Sequence, residues 1–94
     1  MLFRSVLLYA RGQKAEADRL LQENEARYGN EMAYQIALAH VVGGHAELAV
    51  QWLERAMRQR DAALVILPGD PSFRSLRTHS RFKAVLQKLQ SGFH

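Results

Sequence analysis

The stretch that decides the fold runs from Met32 to Met57, MAYQIALAHVVGGHAELAVQWLERAM. Met32, Ala33, Ile36, Ala37 and His40 recur at three- and four-residue steps, which predicts a helix over Glu31 to Val42. Tyr34, Leu38 and Val41 mark a second apolar stripe on the same helix, so it is packed on both sides or presents one side to a partner. Gly43 and Gly44 stop it, because glycine takes the left-handed conformation that caps a helix C-terminus. A second helix follows from about Ala46 to Arg60, with Leu48, Ala49, Trp52, Leu53, Ala56 and Met57 as its buried face. Ala33, Ala37, Ala49 and Ala56 let the two backbones approach closely, as an interlocked helical hairpin requires.

Upstream, the same arrangement returns at an offset of 32: Gly12 aligns with Gly44, Ala17 with Ala49, Leu20 with Trp52 and Leu21 with Leu53. The match before each glycine is weaker, pairing Leu2 with Tyr34, Val6 with Leu38, Leu8 with His40 and Tyr9 with Val41. Glu23 with Arg27 and Glu54 with Arg58 stand four apart in the favourable order, which predicts supporting ion pairs along each second helix. Downstream the rhythm changes. Ala62 to Leu67, closed by Pro68 and Gly69, reads as one or two helical turns, since no second strand exists to pair with it. Asp70 before Pro71 predicts an N-cap and a short helix carrying Phe73 and Leu76. Ser80 is expected to cap a last helix whose stripe is Phe82, Val85, Leu86 and Leu89, with Ser91 to His94 fraying.

The chain has 94 residues, which allows one domain and puts about 64% of the unfolded surface out of water. Hydrophobic residues at 48% and charged residues at 23% fit an ordinary globular domain rather than a disordered or fibrous one. No apolar run approaches the roughly twenty residues of a membrane-spanning helix, and Arg4 and Arg11 leave no room for a signal-peptide core. The chain as given is expected to start inside its fold, and a cytoplasmic setting is weakly favoured. Without cysteine there is no disulfide framework and no thiolate nucleophile. Through Glu54 five basic residues face seven acidic ones, and from Arg55 on eight basic residues face two. The whole excess of +4 therefore lies in the C-terminal part, where basic residues alternate with apolar ones in the manner of a solvated helix face.

The second unit resembles a tetratricopeptide repeat, carried by Ala33, Ile36, Ala37 and His40 on one helix and Ala49, Leu53 and Ala56 on the next. Alanine stands where that family often has tryptophan, His40 where it has tyrosine and Asp61 where it has proline; in the first unit Ser5 and Asn24 occupy small-residue positions. The stretch from Ala49 to Gln90, with its WLERA run, Arg60-Asp61, Asp70-Pro71-Ser72-Phe73, Leu76-Arg77 and Arg81-Phe82, is similar to the C-terminal tetratricopeptide region of bacterial multidomain regulators. That family usually has Asp-Pro where His79-Ser80 stand. The resemblance implies an all-α fold: a short right-handed α-solenoid of helical hairpins, in units of about 1–29 and 30–61, with capping helices over about 62–90. It also implies a bacterial protein-interaction scaffold, part of or descended from a longer array. In that geometry Leu2, Val6, Tyr9, Tyr34, Leu38 and Val41 line a concave groove for a protein or peptide partner or for a second copy, as in a homodimer.

Chemistry-bearing patterns are sparse. His40, His45, His79 and His94 lack the i, i+4 spacing that places two metal ligands on one helix face, and His40 is expected to be a core histidine bonded to a neighbour. No glycine-flanked nucleophile surrounds Ser72, Ser75, Ser80 or Ser91, and Gly43-Gly44 lacks the lysine and hydroxyl residue of a phosphate loop. The aromatic residues are scattered rather than gathered into a nucleic-acid stacking platform. The expectation is no catalytic residue, no metal, no cofactor and no enzyme activity. The alternative is a basic surface of Arg74, Arg77, Arg81, Lys83 and Lys88 that binds acidic protein or nucleic acid.

Overall fold

A computed structural model describes residues 2–91, with side chains described from residue 4 onward. Five α-helices run over Leu2–Ala10 (α1), Lys14–Tyr28 (α2), Ala33–Val42 (α3), Ala46–Arg58 (α4) and Ser80–Gln90 (α5). Two 3-10 helices, Ala62–Gly69 and Pro71–Leu76, lie between α4 and α5, and no strand occurs among the described residues. The fold class is all-α.

Both glycine turns take the predicted form. Gly12 has φ +79° and Gly44 φ +81°, and each helix before them closes with a hydrogen bond spanning five residues, Gln13 N–H to Leu8 C=O and His45 N–H to His40 C=O. These bonds satisfy carbonyls that would be orphaned at a helix end and reverse the chain at once into the next helix. A third turn of the same kind ends α4, where Asp61 N–H reaches Ala56 C=O and Arg60 takes φ 55° without being glycine. α4 accordingly stops at Arg58 rather than Arg60.

α1 packs on α2 and α3 on α4 as hairpins, and α3 also touches α1, α2 and the second 3-10 helix. Ala33, Ala37, Ala49 and Ala56 are fully buried along the α3–α4 contact, so the two backbones interlock on small side chains. The main core gathers these with Tyr34, Val50, Leu53, Leu64, Leu67, Phe73, Leu76, Phe82 and Val85, while Leu21, Ile36 and Ala39 form a smaller core between the hairpins. One expectation on α4 is corrected: Leu48 faces solvent and Val50 is fully buried, because the stripe that meets the 3-10 helices is Ala49, Val50, Leu53 and Ala56.

The C-terminal segment closes over this core with caps from its own side chains. Asp61 accepts from Ala63 N–H at 3.0 Å and Asp70 from Ser72 N–H at 2.9 Å, each fixing the first turn of a 3-10 helix. At α5 the cap is not Ser80. His79 Nδ1 accepts from Arg81 N–H at 3.2 Å, and Ser80 is the exposed first residue of the helix. Phe82 and Val85 are buried, with Leu86 and Leu89 packed beside them. The predicted Glu54–Arg58 pair is replaced by a longer-range one, because Glu54 binds Arg81 of α5 and so ties α5 to α4.

Candidate interaction face

The apolar stripe of the first helices is divided by what packs on it. Leu2 lies in α1 with its side chain outside the described residues. Val6 is half-buried against Leu21, Ile36 and Ala39. Tyr9 lies beside it, its ring edge-on to His45 at 5.9 Å between centroids and its hydroxyl donating to Asp18. The ring passes so close to Gly43 that a Cβ there would sit 2.7 Å from it, which explains a glycine at that turn position.

Tyr34 is not a surface residue. It is 3% exposed beneath the second 3-10 helix, T-shaped to Phe73 at 5.3 Å, with its hydroxyl donating to Asp70 Oδ2 at 2.6 Å. Its backbone N–H donates to Asp61 Oδ2 at 3.3 Å, so one residue bonds the aspartates that open both 3-10 helices. Burial and the hydrogen bond to Asp70 push the Tyr34 phenol above the usual tyrosine range. Burial by itself would raise the Asp70 carboxyl; bonds from Tyr34 and Ser72 outweigh it and hold the carboxyl below its usual range.

Leu38 and Val41 are half-buried against the main core, with Val42 43% exposed at the end of α3. Four further large aliphatic side chains face solvent among the described residues: Leu7, Leu48, Val65 and Ile66, with Val65 the most exposed at 82%. Periodicity had no means of finding Val65 and Ile66 on the surface, because a 3-10 helix repeats every three residues and turns two members of an apolar run outward.

Between the hairpins runs a chain of polar contacts. Tyr9 donates to Asp18, Asp18 lies 3.6 Å from His45 Nε2, His45 Nδ1 is 3.2 Å from His40 Nδ1, and His40 Nε2 meets Glu25. An ionised Glu25 makes His40 the donor at Nε2, so His40 Nδ1 accepts and His45 Nδ1 donates. His40 is thus a core histidine bonded to neighbours. Burial lowers its pKa below the usual value and outweighs the opposing pull of Glu25. Among the described residues no group of three side chains is placed to hold a metal ion.

On the basic side, Arg81 is spent within the fold. Its guanidinium binds Glu54 and lies 2.7 Å from Glu47, which also meets His79 at 3.0 Å. The bond to Glu54 raises the Arg81 pKa, and the bond from His79, reinforced by Arg81, lowers that of Glu47. Arg74, Arg77, Lys83 and Lys88 are exposed and make no ion pair among the described residues. No family model, no curated protein and no solved structure matches the chain.

Proposed function

We propose that the chain is a non-catalytic protein-interaction scaffold of the tetratricopeptide type, its hairpins stacked as a short right-handed solenoid and its last three helices closing one end. The observation that carries this reading is the pair of glycine turns 32 residues apart, which share one backbone conformation and one hydrogen-bond pattern. Two local hairpins built to one plan present a regular face, and short segments dock on such faces through side chains at helical spacing. With Tyr34 covered, the proposed binding face keeps Leu2, Val6, Tyr9, Leu38 and Val41, extended by Val42.

A photo-crosslinking residue at position 38 or 41 is expected to join the chain to its partner, and the same group at exposed Arg19 on α2 is not. Leu38→Asp should abolish the capture while leaving helical circular dichroism intact. Equal labelling from positions 38 and 19, or capture that survives Leu38→Asp, would overturn the reading. Arg74, Arg77, Lys83 and Lys88, exposed and without an ion pair among the described residues, support a second reading, an acidic protein or nucleic-acid partner. Its signature is binding that weakens steeply with salt and on loss of Arg74 or Arg77.

A further inference from the structure

We infer that the two histidines flanking the Gly43-Gly44 turn form a proton-operated latch between the hairpins: the pair takes one proton with every hydrogen bond kept, and a second proton expels the His45 ring from its place between Asp18 and Tyr9. His40 lies in the last turn of α3 and His45 is the residue that opens α4. They are joined twice, by the backbone bond from His45 N–H to His40 C=O at 2.8 Å and by the contact of Nδ1 on Nδ1 at 3.2 Å. Each ring also reaches a carboxylate of α2 in the other hairpin, His40 Nε2 meeting Glu25 and His45 Nε2 lying 3.6 Å from Asp18. The groups facing the pair are thus Tyr9 of α1 and Asp18 and Glu25 of α2. The acids of α4, Glu47 and Glu54, are held by His79 and Arg81.

Two ring nitrogens in contact share one hydrogen, because one of them must accept. With the hydrogen of His40 on Nε2, the shared one belongs to His45 Nδ1, and His45 Nε2 is the nitrogen left without a hydrogen. It points at Asp18, a carboxylate to which Tyr9 already donates. A proton added there makes His45 a cation beside an anion and leaves the Nδ1 contact intact.

The second proton has only His40 Nδ1 to occupy. It sets two N–H donors and two cations against each other, one of them on a residue 4% exposed. Burial opposes charge on His40 most strongly; Glu25 pulls the other way, and His45 adds to the opposition. The ring that yields is His45, whose side chain is 23% exposed, since His40 is enclosed by its helix and α2. Its departure strips the edge-on neighbour from Tyr9. Tyr9 belongs to the proposed binding face, so acid would alter that face; this consequence rests on the function proposed above, and the measurements below read the chain without a partner.

Nitrogen-edited NMR of the imidazole rings in the full chain, followed downward from neutral pH, tests the latch. At neutral pH His40 should be the Nε2–H tautomer and His45 the Nδ1–H tautomer. Two steps should follow, the first on His45 with the Tyr9–His45 ring cross-peaks retained, the second on His40 with those cross-peaks lost while helical circular dichroism persists. His40→Gln, which cannot take the second proton, should keep the Tyr9–His45 contact through the pH at which the wild type loses it. His45→Gln, an uncharged side chain that can still donate, should move proton uptake by His40 to higher pH, because the opposing cation is gone. The opposite tautomers, a single joint step, a Tyr9–His45 contact that survives protonation of His40, its loss only together with the helices, or either variant titrating as the wild type would each overturn the proposal.

Discussion

The two hairpins turn alike and fill differently. Ile36, Ala37, Ala39 and Ala56 are all fully buried in the second, whereas the matched positions of the first hold Arg4, Ser5, Leu7 and Asn24. Arg4 and Leu7 are exposed, and Ser5 and Asn24 are polar groups within the packing. A hairpin covered on both sides needs small apolar residues at every contact, and one covered on a single side tolerates charge and amide on the other. The difference between the units is therefore a record of their neighbours: α3 touches α1, α2, α4 and the second 3-10 helix.

The sharpest way to break this comparison is to remove the same atoms from matched positions. Leu53→Ala and Leu21→Ala should each cost about 2 to 5 kcal/mol in denaturant unfolding, with Leu53→Ala the larger because its surroundings are closed by the 3-10 helices as well as by the hairpin. Equal losses would mean that the C-terminal segment adds nothing to the second hairpin. Next in size is overpacking. Ala37→Leu should cost about 1 to 3 kcal/mol by forcing rotamers apart, whereas Leu7→Ala on the open side should stay within about 0.5 kcal/mol.

A pH series sharpens the comparison at the junction between the hairpins. His40 is held neutral by burial, so its folded pKa lies below the usual 6.5 and the unfolded chain binds the extra proton. The stability this gives is complete above that value and is lost as pH falls below it toward the folded pKa. Unfolding followed downward from neutral pH should show the loss, and His40→Gln should flatten it. Asp70, also depressed, should add a second loss only below its usual 3.8, one that Tyr34→Phe diminishes. Smaller effects than those in the core belong to the turns. Arg60→Gly should raise stability by about 0.5 to 1 kcal/mol by relieving a left-handed backbone, and Gly44→Ala should lower it by a similar amount, both read as shifts in Tm.

Most of the helical layout was legible because it is local. Three- and four-residue steps and a glycine pair specify α3, its turn and α4, and Asp70-Pro71 specifies the start of a 3-10 helix. What escaped was set by distant partners. Glu54 has Arg58 at a favourable spacing on its own helix but binds Arg81, 27 residues away, and nothing in the spacing announces that choice. Tyr34 sits on a stripe that reads equally as groove or core, and only the path of residues 62–76 decides it. The cap at α5 fell to a histidine, one residue ahead of a serine better suited by type, because its Nδ1 is an acceptor in the neutral ring.

The two bonds that Tyr34 makes to Asp61 and Asp70 have a consequence for the covalent chain itself. They hold both ends of residues 62–69 on a single residue of α3, so the segment is a closed loop whose tip, Val65 and Ile66, stands in solvent. A protease that cuts at the tip severs the backbone without releasing either stump. The nicked protein should migrate as two pieces under denaturing conditions and as one particle under native ones, with Phe73 and α5 still seated on the fragment that ends at the cut.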